Sequence, residues 1–401
     1  MGAMVQSPSP LIPVAEAQAR LFDLAPRVAS ETLPLRLAAG RWAAGDILAR
    51  RTQPAADLSA MDGYAIRFAD LPGPFTLIGE SAAGRPFAGK VGPTETVRIF
   101  TGAAMPEGAD TVMIQEEAVR DGAIVSLNGE GPRKSGGNTR RKGLDFTTDD
   151  LLLRPGQRLT PARIALAATS GHAMLPVNRM IRVAIVATGD ELVASGSEII
   201  GAQLPESNGA MLAAMLADLP VELIDLGILP DRLDVMTAAF GQVDADILVT
   251  TGGASVGDHD LVRPALEAAG GSIDFWRIAL RPGKPMMAGR IGGTVMLGLP
   301  GNPVSAFVTA TLFLRPLIAA MGGAADPLPH IMPAILGEAL PANDHRQDYL
   351  RAETRDGRVF ASTIQDSSML LTLARADCLI ARPPHAAAVA AGDLVEVLRV
   401  T

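Results

Sequence analysis

The run Thr251-Gly-Gly-Ala-Ser-Val-Gly-Asp-His-Asp260 follows an apolar stretch, Asp246-Ile-Leu-Val-Thr250, and precedes a helical pattern from Leu261. A strand that opens into a loop of small residues exposes backbone N–H groups at a sheet's edge. Glycines such as Gly252 and Gly253 let that backbone approach a ligand closely. N–H groups ahead of a helix suit an anion, above all a phosphate. Two acids at the end of the loop suit a hard cation such as Mg²⁺, held jointly by carboxylate and phosphate. The loop lacks the G-K-[ST] end of a Walker A motif and the GxGxxG spacing of a dinucleotide fingerprint. The chemistry to expect is a phosphorylated ligand with a metal.

Other segments fit the same chemistry. Thr188-Gly-Asp-Glu191 also follows an apolar strand and ends in acids. Asp190 and Glu191 alone would serve equally to complement a helix dipole; two such loops favour a site. Asp231 follows Leu229-Pro230 and precedes a helical pattern, so it reads as an N-cap or as a neighbour of the crevice. The clearest basic cluster is Arg277-Ile-Ala-Leu-Arg-Pro-Gly-Lys-Pro285. Its cations could neutralise an oxyanion in a loop stiffened by proline, or form a solvated turn. Arg140-Arg-Lys-Gly-Leu-Asp145 reads as a surface charge run, and Ser59-Ala-Met-Asp-Gly-Tyr-Ala65 as an acid in a tight turn. Nothing fits a Ser/His/Asp triad or a nucleophilic cysteine. Metal and electrostatic positioning is the more natural chemistry.

The elements that must position these residues follow from composition and periodicity. A chain of 401 residues should form roughly two to four domains. Only 4% of residues are aromatic, so Ala, Leu, Val and Ile must fill the core. The net charge of −8 disfavours a nucleic-acid binder. The single cysteine, Cys378, excludes an internal disulfide framework and reads as a buried strand residue. No secretory signal pattern opens the sequence. The uncharged run 291–314 is long enough for a bilayer, but Leu299-Pro-Gly-Asn-Pro303 breaks it into strand, turn and helix. A soluble cytoplasmic protein is expected, with no membrane partner. Residues 10–50 read as helical, with a second helical pattern at 35–49. Residues 51–149 read as a β-rich insertion and 150–180 as a return to the helical domain. Thr160 and Pro161 make a good helix start there. Residues 181–326 alternate strand and helix, an α/β domain with a parallel-rich sheet whose ligands should sit beyond the strands' carboxyl ends. Residues 327–401 read as a small β-barrel or sandwich.

In combination and in this order, Ser59–Ala65, Phe100-Thr-Gly-Ala103, Arg140–Asp145, Thr188-Gly-Asp-Glu-Leu192, Thr251–Asp260, Arg281-Pro-Gly-Lys-Pro285 and Gly298-Leu-Pro-Gly-Asn-Pro303 resemble the molybdopterin molybdenumtransferases, the MoeA family, also seen in the E domain of gephyrin. The likeness covers nearly the whole chain. It implies insertion of molybdate into adenylylated molybdopterin in a Mg²⁺-dependent step that releases AMP. It implies a discontinuous helical domain, a β insertion, an α/β pterin-binding domain and a C-terminal β-barrel. It also implies a homodimer whose cleft lies between the α/β domain of one subunit and the insertion of the other. Carried over by motif, Asp62, Thr101, Arg140 and Asp145 would face that cleft from the insertion. Glu191, Asp231 and Asp260 would be the catalytic or metal-binding acids. Thr188, Gly189, Asp190, Ser207, Asn208, Gly252, Gly253, Ser255, Pro300 and Pro303 would line the pterin and phosphate site. Arg281, Lys284, Pro285, Arg351 and Ser367 would form the molybdate pocket. Arg277 and Arg281 stand where lysine is frequent, which keeps charge but changes hydrogen-bond geometry. An adenylyltransferase and downstream molybdoenzyme-maturation proteins are the further partners implied. A molybdopterin adenylyltransferase, a tungsten-inserting paralogue and a gephyrin-like scaffold are the alternatives.

Overall fold

The computed structural model describes residues 11–253 and 261–400. In the α/β part the sheet order is Val221–Leu229, Ile181–Thr188, Ile247–Thr251, Thr294–Leu299, Met287–Ile291, Ser272–Trp276. The first four strands are parallel; Met287–Ile291 runs antiparallel to both its neighbours. Ile247–Thr251 and Thr294–Leu299 are buried at every position. Such unbroken apolar runs belong to strands covered on both faces. Alternate residues serve opposite faces. Ile185, Val249 and Leu297 pack with Leu212 and Leu312 on one side. Ala184, Val186 and Leu248 pack with Met236 and Phe240 on the other. Truncating Leu248 to Ala would cost about 2–5 kcal/mol.

The chain leaves Ile181–Thr188 for one edge, Val221–Leu229, and then crosses to Ile247–Thr251 on the opposite side. This reversal opens a crevice beyond the carboxyl ends of the two central strands, where open α/β sheets bind ligands. The run 291–314 does divide into the strand Thr294–Leu299 and a helix starting at Pro303. That helix, Pro303–Met321, has the length and apolarity of a membrane span, but its most apolar stretch is 78% buried in the fold. Its π-turn at Ala310–Leu314 falls just before Pro316, which lacks an N–H to continue the regular ladder.

The N-terminal part is less helical than its sequence suggests. Val14–Leu24 is a helix, burying Val14, Ala17 and Leu21. The expected helix over 35–49 shrinks to Leu35–Ala38. Ser30–Pro34 instead pairs antiparallel with Met174–Asn178, and Ile47–Leu48 with Leu151–Leu153. Pro34 and Gly40, at φ +77°, punctuate the apolar periodicity, and the long-range pairings take over. Pro161–Thr169 is the helix expected, with Thr160 Oγ1 accepting from the Arg163 N–H. Between the two pairings hangs the insertion, a sheet in the order Thr111–Ile114, Gly63–Ile66, Glu95–Ile99, Phe75–Ser81, Ile124–Leu127, Ala118–Asp121. At the other end of the chain, Gln347–Arg355, Arg358–Ala361, Ile331–Leu336, Leu394–Arg399 and Cys378–Arg382 pair in turn, and the last returns to the first. Leu280–Arg281 pairs with Gln347–Asp348 and ties the α/β part to this ladder.

Candidate active site

Glycine brings the two central strand ends together. Gly252 has φ +91°, and a Cβ there would stand 2.5 Å from the Thr188 carbonyl oxygen. Gly253 has φ +60°, and its Cβ would collide with the Val262 side chain. Any larger residue would push the loops apart. The Gly252 N–H donates to the Leu299 carbonyl at 3.3 Å, and the Gly189 N–H to Leu229 at 3.4 Å. Asn208, at the start of the helix Asn208–Leu216 and next to Ser207 at the N-cap position, donates Nδ2 to the Gly301 carbonyl at 2.8 Å. Its Oδ1 is buried without a partner among the described residues. Thus Thr188, Gly189, Asp190, Ser207, Asn208, Gly252, Gly253, Pro300 and Pro303 belong to one set of converging loops. Ser255 and Asp260 lie outside the described residues.

The acids of this crevice repel one another. Asp231 donates its backbone N–H to Asp190 Oδ1 at 3.0 Å. Burial raises the Asp231 pKa, and the carboxylates of Asp190 and Glu191 push it in the same direction. All three carboxylates are exposed, so a cation could reach them. No group of three or more acids, histidines or cysteines is placed to hold a metal among the described residues. Mg²⁺ commonly takes only one or two protein carboxylates and completes its shell with phosphate and water. Glu191 and Asp231 fit that mode.

The basic side is assembled from two parts of the chain. Gly283, at φ +109°, packs so closely on Thr309 that a Cβ would lie 2.6 Å from its methyl group, which seats the Arg281–Pro285 loop on the long helix. Lys284 is exposed and makes no ion pair among the described residues. Arg281 is already engaged. It pairs with Asp348, which is nearly buried, and with Asp344 at 3.2 Å. Arg346, first by its side chain and then by its backbone N–H, holds Asp344 at about 2. Arg351, expected in the molybdate pocket, is enclosed by its own domain. It is 1% exposed, and its guanidinium donates to the carbonyls of Met369 and Ile364, both at 3.2 Å, and to Gln365 at 3.3 Å. Arg351 therefore braces the segment that carries Ser367. That segment docks on the crevice: Ser367 Oγ accepts from Asn302 Nδ2 at 3.0 Å, and its carbonyl accepts the Val304 N–H at 3.1 Å. Asn302 was visible in the Leu299–Pro303 motif without a role; Asp344 and Asp348 carry no local signal.

On the insertion, Thr101 donates both N–H and hydroxyl to Asp62 Oδ1 at 2.7 Å. These two bonds, with Arg98 nearby, hold the Asp62 carboxyl below its usual range. Thr139–Arg140 pairs with Leu58–Ser59, so Arg140 shares this end with Asp62 and Thr101. Asp145 lies on the stem, its N–H donating to Gln53 at 3.0 Å. Among the described residues, no hydrogen bond or ion pair joins this cluster to the crevice.

Three family models match the chain. The MoeA N-terminal region (domain I and II) covers residues 12–171, a probable molybdopterin binding domain covers 184–320, and the MoeA C-terminal region (domain IV) covers 333–400. The molybdopterin molybdenumtransferase of Haemophilus influenzae is 36% identical over 396 residues, spanning 95% of this chain and 97% of that one. Molybdopterin molybdenumtransferase 2 of Mycobacterium tuberculosis is 34% identical over 92% of this chain and 95% of its own length. The crystal structure of the molybdopterin biosynthesis MoeA protein from Pyrococcus horikoshii superposes with a TM-score of 0.83 at 27% identity, covering 97% of this chain and all of that one.

Proposed function

The chain belongs to the MoeA family of molybdopterin molybdenumtransferases, enzymes of molybdenum cofactor biosynthesis, and we propose that it inserts molybdate into adenylylated molybdopterin, with Mg²⁺-dependent cleavage of the pyrophosphate and release of AMP. The observation that carries this reading is the meeting of Gly252 and Gly253 with Thr188 at the sheet reversal, beside the docked Ser367 segment. A phosphate site and an oxyanion site then adjoin.

In this reading the glycine loops and the Ser207–Asn208 helix start hold the pterin and its phosphates. Asp231 and Glu191 would hold Mg²⁺, which would offset the pyrophosphate charge. Lys284 and Ser367 hold molybdate, with Arg281 and Pro285 fixing the shape of their loop. A molybdate oxygen bonds to the pterin-side phosphorus as the bridging P–O bond breaks and AMP leaves with the bridging oxygen; where water is the nucleophile instead, its proton passes to solvent and AMP and the pterin phosphate separate. The pterin supplies the sulfur ligands, so the buried Cys378, whose thiol burial pushes up to about 12, stays out of the chemistry. Asp62, Thr101, Arg140 and Asp145 close the cleft from the insertion of a second subunit. The C-terminal ladder serves as a β-barrel support, the enzyme works in the cytoplasm, and its neighbours in the pathway are the adenylyltransferase and the maturation proteins that take the cofactor onward.

The test is direct. The protein is incubated with adenylylated molybdopterin with and without molybdate, and AMP is quantified. Molybdate-dependent AMP release supports the proposal. Transfer of AMP from ATP to molybdopterin instead would identify an adenylyltransferase. Replacing molybdate by tungstate, with metal content of the product measured, distinguishes the two oxyanions.

A further inference from the structure

Asn302 occupies the N-cap of the helix that starts at Pro303, yet its side chain makes no cap bond to that helix. Asparagine is favoured at N-caps because its side-chain oxygen accepts an N–H of the first turn. Here the Val304 N–H goes to the Ser367 carbonyl, at 3.1 Å, from a different part of the chain. The Asn302 amide turns outward and donates Nδ2 to Ser367 Oγ at 3.0 Å. A serine hydroxyl has one hydrogen to give and two lone pairs to accept with. Once a lone pair is taken by an amide N–H, the hydroxyl hydrogen points elsewhere, and it becomes a donor in search of an acceptor. Arg351 fixes the same segment from behind through Ile364 and Met369. Ser367 is thus held in position by Arg351 and in polarity by Asn302.

We propose that Asn302 is a positioning residue for oxyanion binding: by donating to Ser367 Oγ, it commits the Ser367 hydroxyl to donate to molybdate. The inference rests on the proposed molybdate site and adds the residue that sets the direction of its serine.

Asn302→Asp isolates this role. Aspartate is as good an N-cap as asparagine and nearly the same shape, but it only accepts. It would draw the Ser367 hydrogen to itself. Molybdate binding to the full-length protein is measured by calorimetry, without the pterin substrate. Asn302→Asp is expected to weaken it about tenfold or more, the scale of one lost charge-assisted hydrogen bond, with the melting temperature unchanged. Added negative charge alone would also repel molybdate, so the same substitution is made with Ser367→Ala. In that background only the charge repulsion remains, so the Asn302→Asp effect should be much smaller. An unchanged molybdate Kd in Asn302→Asp overturns the proposal. So does an equal loss in the Ser367→Ala background, or no molybdate binding by the parent protein. Failure of the wider reading looks different: the parent protein then binds molybdate without releasing AMP.

Discussion

Asp231 is the residue whose environment most clearly differs from that of its peers. Other aspartates, such as Asp62 and Asp246, are held below the usual carboxylate range by N–H and arginine donors. Asp231 is raised, by burial and by Asp190 and Glu191. The native state therefore binds its proton more readily than the unfolded chain does. The ionised form opposes folding, and this penalty grows as pH rises from the ordinary carboxylate pKa through the raised one. Asp231→Asn should raise the melting temperature at neutral pH. The gain should shrink as pH falls and disappear below the ordinary aspartate range. Melting curves at pH 7 and pH 4 read this, and a substitution that is destabilising at both would remove the electrostatic account. AMP release should fall at the same time, because the cation loses a ligand. The two basic residues should separate as well. Lys284→Ala should raise the molybdate requirement and leave stability intact. Arg281→Ala leaves the nearly buried Asp348 carboxylate without its main partner, and should cost about 1–3 kcal/mol in denaturant unfolding, discounted for the half-exposed arginine.

At the scale of elements, the crevice depends on glycine more than on any polar residue. Gly252→Ala combines an unfavourable φ with a Cβ driven into the Thr188 carbonyl. Gly196 has a similar φ of +89° and nothing within 4 Å of its Cβ position. Gly196→Ala should show backbone strain alone, about 1 kcal/mol, and Gly252→Ala measurably more, about 2–4 kcal/mol. Equal losses in chemical denaturation would mean that strand-end contact adds nothing. The same contrast explains what the sequence disclosed. A loop of glycines after an apolar strand is a local signal, so Gly252, Gly253 and Thr188 could be placed before any coordinates. The strands of the insertion, with their short β-branched runs, were equally visible. The N-terminal pairings were not. Ser30–Pro34 finds Met174–Asn178 across more than a hundred residues, and no local period announces such a partner. The surroundings of Arg351 were hidden for the same reason. The resemblance put it in the molybdate pocket, but its burial and its three acceptors come from the folding of the 362–369 segment around it. Ser255 and Asp260, in the loop with the strongest local signal, lie outside the described residues.

The whole molecule poses a problem of assembly. The Asp62, Thr101 and Arg140 cluster stands at one end of the insertion, and the crevice at the carboxyl end of the α/β sheet. Among the described residues they share no hydrogen bond or ion pair. Both sets are needed if the proposed chemistry is correct, since one carries acids and the other an acid with a cation. A two-fold dimer solves this if the insertion of each subunit covers the crevice of the other, which yields two equivalent clefts. The arrangement makes a quantitative demand. In a mixed dimer of Asp62→Ala and Asp231→Ala subunits, one cleft receives both defects and the other receives neither. Each variant alone should be inactive. Unfolding-free exchange of equal amounts should produce mixed dimers as about half of the population, each with one intact cleft. Activity should then recover to about a quarter of the parent value by random pairing. If the cleft were built within one chain, every cleft would keep a defect and mixing would restore nothing. An affinity tag on one variant, with native mass spectrometry on the same samples, reports whether exchange has occurred, so an inactive mixture of exchanged dimers would count against the shared cleft itself.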